Sequence, residues 1–286
     1  MTIQKIYEDH HITCCFQNGQ RNNSLIFTFG GMFSRPNNSL FLWSGEPIKK
    51  IGYPAFGFTA KAQNWYPAAS VLKAIQLIKS HPQYQTENKV GYGYSMGAYA
   101  VLKYGDALSL SSVLSLSPQF SIDPFDIKDP RFNRHFNPEN NKDMKVAEGD
   151  YSGKAFLIVD QYSKRDYEHA LRISSALLVD LIHSPNFGHG LINAFRGTEI
   201  LSDLLFCCIN NDLREIKGIV SKRRRFASAR PVGIANRLAP NHPNLALAVF
   251  AKYQEHFTGR DLEIFIRRFS SPHLAERAIV EIRGAI

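Results

Sequence analysis

The residues best placed to do chemistry lie in the run Lys89-Val90-Gly91-Tyr92-Gly93-Tyr94-Ser95-Met96-Gly97. Gly93, Ser95 and Gly97 form a G-x-S-x-G pattern. The pattern alone is weak, because both residue types are common. Its content comes from the flanks: residues 89–94 read as a strand, and 97–104 carry a helical spacing of apolar residues. A serine at such a junction sits in a sharp strand-to-helix turn, and small residues two before and two after let the strand and helix approach closely. The turn lifts the hydroxyl above the sheet and aims the Met96 N–H at the point where a carbonyl oxygen would gain negative charge. The chemistry this permits is attack of Ser95 on a carbonyl carbon.

Such a nucleophile needs a base, and the base needs an orienting acid. A strand expected at 155–159 leads into Asp160-Gln161-Tyr162-Ser163-Lys164-Arg165-Asp166, and one at 176–182 leads into His183 and then Phe187-Gly188-His189-Gly190. With these, residues 12–205 resemble the α/β-hydrolase superfamily, in which Ser, acid and His follow in chain order, each on a loop after a strand. The resemblance implies that His189, flanked by glycines ahead of a helix, is the histidine; His183, near the end of its strand, matches less well. Asp166 stands where the family usually places its acid and is preferred, with Asp160 as the alternative. Whichever is not the acid would cap a helix or support the site from behind.

The family draws a second oxyanion N–H from the loop after an early strand, often one opening with His-Gly. Here residues 25–29 run into Gly30-Gly31-Met32, with Phe29 at the place of the usual histidine. Gly31 or Met32 would then join Met96 as donor. The resemblance implies a serine hydrolase cleaving a small-molecule carboxylic ester or thioester through an acyl-enzyme, with no metal or organic cofactor. An acyltransferase built on the same triad is the alternative. A reading from a different class is a non-catalytic binding module on this scaffold; the intact Ser95, His189 and glycine loop argue against it.

Several elements must position these residues. Strands are expected at 12–16, 25–29, 53–58, 89–94, 112–116, 155–159 and 176–182, and helices at 71–78, 97–104, 167–175 and 191–209. Strands interleaved with helices predict an α/β fold whose mostly parallel sheet is covered on both faces. Residues 120–150 break the rhythm, with three prolines in 121–143 and no clear period. They read as an excursion that is either a cap or a surface loop. The Asp123, Asp126 and Asp129 series lacks the glycine and distal Glu of a calcium loop and reads as turn-forming. Phe33, Trp43, Tyr94 and Phe120 are expected near the mouth of the site.

The 286 residues carry 34 Lys and Arg against 25 Asp and Glu, a formal +9. Residues 211–286 hold 14 basic and 7 acidic residues, leaving 20 and 18 for residues 1–210. The excess centres on Lys222-Arg223-Arg224-Arg225 and continues at Arg230 and Arg237. A near-neutral catalytic domain at 1–210 and a basic helical extension at 211–286 are therefore expected. Helical spacing is clearest at 245–257, 262–269 and 274–282; the basic run reads as a solvated linker or helix end, with a surface for an acidic partner or a second copy of the chain as the alternative. No apolar run nears the roughly 18 residues of a membrane span. The four cysteines come as adjacent pairs, Cys14-Cys15 and Cys207-Cys208, which lack metal-clamp spacing and read as buried thiols. With no secretory pattern at the start, a cytoplasmic protein is expected.

Overall fold

A computed structural model of the chain describes residues 3–34 and 40–285. Its eight strands are β1 (Ile3–Glu8), β2 (Ile12–Gln17), β3 (Ser24–Phe29), β4 (Ala55–Ala60), β5 (Asn88–Tyr94), β6 (Ser112–Leu116), β7 (Lys154–Val159) and β8 (Val179–His183). They form one sheet in the order β1-β2-β4-β3-β5-β6-β7-β8. β2 is antiparallel to both β1 and β4, and every pairing from β4 through β3 to β8 is parallel.

The helices that follow in the chain are α1 (Gly45–Ile51), α2 (Ala68–Lys79), α3 (Met96–Lys103), α4 (Pro130–Asn133), α5 (Lys164–Ala176) and α6 (Thr198–Ile209). Then come α7 (Leu213–Phe226), α8 (Ala229–Leu238), α9 (Pro243–Lys252), α10 (Gly259–Ile266) and α11 (Pro272–Ala285). Successive strand residues face opposite sides of the sheet, so each central strand feeds two cores. Phe27, Phe29, Val113 and Leu157 meet apolar residues of α2, α3 and α5 on one face. Ile26, Val90, Tyr92, Leu114, Phe156 and Ile158 meet those of α1, α6 and α7 on the other. Coverage on both faces explains why these strands are apolar almost throughout. α8–α11 close a third core around Phe250, Phe257, Phe265 and Phe269.

The differences from the sequence reading have local causes. β1 carries the mixed sequence IQKIYE and is half-exposed, as an edge strand with charged residues can be, so it shows no clean alternation. The single helix expected over 191–209 is two segments. A 3₁₀ stretch, Gly188–Phe195, ends at extended Arg196, and Gly197 at φ 124° starts α6. α5 continues through Ala176, so the last strand begins at Val179, not at 176. α7 falls within the expected helical extension, but its bounds were not legible because it is mostly polar, with only Ile216 and Val220, four residues apart, fully buried. All four cysteines are buried thiols outside any disulfide. Cys14 and Cys15 face opposite sides of β2, whereas Cys207 and Cys208 lie on α6. Among the described residues no helix is long and apolar enough to cross a membrane.

The strand order changes direction at β3, whose neighbours are β4 on one side and β5 on the other. Crevices at the carboxyl ends of strands flanking such a reversal are where open α/β sheets bind ligands. The glycine loop after β3 and the serine after β5 both emerge there.

Candidate active site

Ser95 joins β5 to α3 with φ 55° and ψ −121°, a strained conformation for a residue with a side chain. Its N–H donates to the Leu116 carbonyl at the end of β6 (2.9 Å), which helps hold the turn. The two flanking glycines are obligatory for contact reasons. A Cβ on Gly93 would lie 2.3 Å from the Gly97 oxygen, and one on Gly97 would lie 2.0 Å from the Phe29 oxygen. Strand, helix and the end of β3 therefore meet backbone to backbone around Ser95. Met96 is the first residue of α3, so its N–H precedes the helix's own hydrogen-bond ladder and is available to a ligand.

The loop after β3 is fixed at its base. The Gly30 N–H donates to the Phe58 carbonyl (2.9 Å), and the buried Tyr66 hydroxyl donates to the Gly30 carbonyl (2.7 Å). Gly31 and Met32 follow, and with Ser95 and His189 they line a cleft of about 380 Å³. Phe33, Trp43, Tyr94, Phe132 and Phe195 give the cleft an aromatic wall. Phe120, expected at the mouth, packs instead against the core formed with α2, α3 and α5.

His189 lies in the 3₁₀ segment after β8. Its Nε2 is 2.9 Å from Ser95 Oγ, and its Nδ1 is 3.0 Å from Asp166 Oδ1. An acid beside Nδ1 favours the tautomer protonated there, which leaves Nε2 to accept the serine proton. The ring sits between Tyr94 and Phe132, with both centroids 5.5 Å away. The Tyr94 hydroxyl also donates to the His189 carbonyl (2.9 Å). Burial pushes the Tyr94 phenol up to about 12, so it remains a donor. His183 stacks edge-on against Tyr167, away from this cluster.

Asp166 occupies the first turn of α5, where the helix dipole favours a carboxylate. Burial alone would push its carboxyl up. The hydrogen bond from His189, the charges of His189 and Arg131, and the Ser163 hydroxyl outweigh burial and hold it well below the ordinary carboxylate value. Asp160 makes a different set of contacts. Its Oδ2 accepts from the N–H groups of Phe187 (2.8 Å) and Gly188 (2.7 Å), and its Oδ1 accepts from that of Tyr162 (2.9 Å). It fastens the loop that carries His189.

Two neighbours escaped the sequence reading. Gln119 is fully buried and donates from Nε2 to Ser95 Oγ (3.4 Å) and to the Ser117 carbonyl (3.2 Å). Its Oε1 accepts from Trp65 Nε1 (3.3 Å). Indole nitrogen only donates, so this contact fixes which end of the amide faces the serine. Arg131, from the 120–150 excursion, donates to Asp166 Oδ1 (2.9 Å). A signal for α4 was available: Asp129-Pro130 is a helix N-cap followed by proline at the first helical position. The other aspartates of the excursion also form turns, Asp123 accepting from the Phe125 N–H and Asp126 from the Ser121 hydroxyl.

The C-terminal helices reach the same loops. Arg223 of α7 donates from Nε to the Ala194 carbonyl (2.7 Å) in the His189 segment. Gly233 of α8 lies so close to Asn186 that a Cβ would stand 1.8 Å from its carbonyl oxygen. Arg237 stacks on the Tyr162 ring, 4.5 Å from the centroid, in the turn after Asp160. Part of the basic extension is thus engaged within the chain itself.

No protein-family model and no curated protein matches the chain. Solved structures do match. A Staphylococcus aureus protein of unknown function aligns at 12% identity and TM-score 0.52, covering 74% of this chain and 99% of its own. A putative dipeptidyl aminopeptidase IV from Bacteroides ovatus aligns at 13% identity and TM-score 0.50, covering 74% of this chain and 36% of its own. Mouse alpha/beta hydrolase domain-containing protein 10 aligns at 10% identity and TM-score 0.49, covering 76% and 100%. At such identities the likeness is one of fold.

Proposed function

We propose that this chain, which has the α/β-hydrolase fold, is a serine hydrolase that cleaves a carboxylic ester or thioester. The observation that carries the reading is the relay Ser95 Oγ–His189 Nε2 (2.9 Å) and His189 Nδ1–Asp166 Oδ1 (3.0 Å), opening on an apolar cleft.

In this mechanism His189 accepts the Ser95 proton as Oγ attacks the acyl carbon. The acyl carbon turns from sp² to tetrahedral, and its oxygen, now an oxyanion, receives the Met96 N–H with a second N–H from Gly31 or Met32. Asp166 stabilises the imidazolium and holds its tautomer. His189 then returns the proton to the leaving alcohol or thiol, leaving an ester on Ser95. Water, deprotonated by His189, hydrolyses that ester and regenerates the serine. Residues 1–210 supply all these groups, and residues 211–286 support the loops that hold two of them. The aromatic lining favours an apolar acyl group of small to medium size.

Labelling with an alkyl fluorophosphonate tests the reading. Wild-type protein should be modified at Ser95 and should hydrolyse short p-nitrophenyl esters; Ser95→Ala should do neither. Equal labelling of the two would place the reactive group elsewhere.

A further inference from the structure

We infer that Arg131 is a positioning residue for the triad, delivered by the 120–150 excursion to orient Asp166 and keep it ionised. The inference rests on the serine-hydrolase reading above.

Arg131 Nη2 and His189 Nδ1 meet the same carboxylate oxygen, Asp166 Oδ1, at 2.9 and 3.0 Å. The same guanidinium grips Asp129, with Nε reaching Oδ1 (2.9 Å) and Oδ2 (3.0 Å), and the Nη2 that meets Asp166 also meeting Oδ2. Both carboxylates are nearly fully buried, with side-chain exposures of 2% for Asp129 and 1% for Asp166. Two such like charges facing each other would drive one of them to protonate. A single planar fork that contacts both removes that conflict, and a lysine's point charge cannot reproduce the geometry.

The rest of the network explains why the fork stays in place. Fully buried His169 stands one turn beyond Asp166 on α5, and its Nδ1 accepts from the Phe120 N–H (3.0 Å). Its proton is therefore on Nε2, which faces Asp129 Oδ2 at 3.4 Å. Asp129 also caps α4 through the Arg131 N–H (3.1 Å). The next residue, Phe132, packs against the His189 ring and lines the cleft. One short turn thus presents a cation to the acid and an aromatic ring to the base. Arg131 does not line the cleft, so it acts through Asp166 and not on substrate.

Several charged or titratable groups surround the Asp166–His189 pair. Arg131 and Asp129 face it from the α4 turn. Arg165 and His169 belong to α5, where Arg165 lies 3.9 Å from Asp129. Tyr94 comes from β5, and Arg196 follows the His189 segment. Arg131 is the one of these cations bonded to Asp166 itself. Its removal leaves more negative potential at an imidazole that must be neutral to accept the Ser95 proton.

The test compares wild type, Arg131→Met, Arg131→Gln and Arg131→Lys in full-length protein, using p-nitrophenyl butyrate turnover and the rate of fluorophosphonate labelling from pH 5 to 9. The expected result for Met and Gln is a loss in kcat of roughly 10- to 100-fold, the scale of a misoriented catalytic group, with KM changed by less than about threefold. The acid limb of the pH profile should move to higher pH, and Lys should bring the limb back while recovering only part of kcat. Should Met fail to fold, Gln carries the test, since it keeps a hydrogen-bonding side chain without the charge. A variant lacking the cation but having the wild-type rate and acid limb overturns the inference about Arg131 alone. A folded wild type that neither labels nor turns over ester removes the serine-hydrolase reading beneath it, and the inference with it.

Discussion

Exchanging carboxylate for carboxamide at Asp160 and at Asp166 separates the two roles that the sequence left open. In Asp166→Asn the group facing His189 Nδ1 is uncharged. It either donates, forcing the wrong tautomer, or accepts without stabilising the imidazolium. The expected loss in kcat is on the order of 10³–10⁴-fold, equivalent to about 4–5.5 kcal/mol of transition-state stabilisation. Asp160→Asn acts differently. The native carboxylate receives three backbone N–H groups on two oxygens. A carboxamide has one acceptor oxygen; if that oxygen serves Phe187 and Gly188, its NH₂ group confronts the Tyr162 N–H. One buried donor left unpaired costs about 1–3 kcal/mol. For a domain of this size each kcal/mol lowers Tm by about 2–4 °C, so a fall of roughly 2–12 °C is expected. The His189 loop loosens but keeps its acid, so kcat should fall by only about tenfold. Steady-state turnover of p-nitrophenyl butyrate and circular-dichroism melts measure the two effects separately. The reasoning fails if Asp160→Asn loses the thousandfold in kcat while Asp166→Asn remains active at unchanged stability, since Asp160 would then be the acid.

Two further outcomes follow from contacts already described. Gly233→Ala forces α8 away from Asn186, because backbone cannot yield to a Cβ at 1.8 Å; overpacking of this kind costs about 1–3 kcal/mol. Because Asn186 leads into the His189 segment, Tm and labelling rate should fall together. An unchanged labelling rate at lowered Tm would show that the helical extension does not govern the loop. The second outcome concerns pH. Burial would raise the carboxyls of Asp129 and Asp166, but their partners hold both well below the ordinary value: His169 and Arg131 for Asp129, His189, Arg131 and Ser163 for Asp166. A depressed carboxyl contributes stability above its unfolded value of about 3.9 and loses it as pH falls toward the folded one. Wild-type Tm should therefore be nearly level from pH 7 to about 5 and drop below about 4, and a Tm unchanged down to pH 3 would refute the linkage.

Much of the site was legible because its parts are local. In the G-x-S-x-G turn Gly93 is glycine for a contact within five residues, with Gly97, whereas Gly97 is glycine because the end of β3 passes it at Phe29. The central strands were readable because a sheet buried on both faces demands unbroken apolar runs. His189 and Asp166 were placed by chain order and loop position, with a competitor for the acid. Arg131 and Gln119 were not readable as neighbours of Asp166 and Ser95. Their roles depend on bonds spanning 35 residues to Asp166 and 24 to Ser95, and no periodicity encodes contacts at that separation.

The basic extension makes the same distinction. Composition alone located the charge in residues 211–286 and left it between a solvated segment and a surface for an outside partner. Only the tertiary structure revealed that Arg223 and Arg237 turn inward, to the Ala194 carbonyl and the Tyr162 ring. A charge count records how many cations a segment carries, whereas their partners are set by which surfaces the fold brings within a few ångströms. Sequence by itself singled out Ser95, its turn and the layered frame, since each is written in residues that are neighbours along the chain. Tertiary structure decided which carboxylate faces the histidine and what the excursion and the extension hold, because those are relations between segments that only folding brings together.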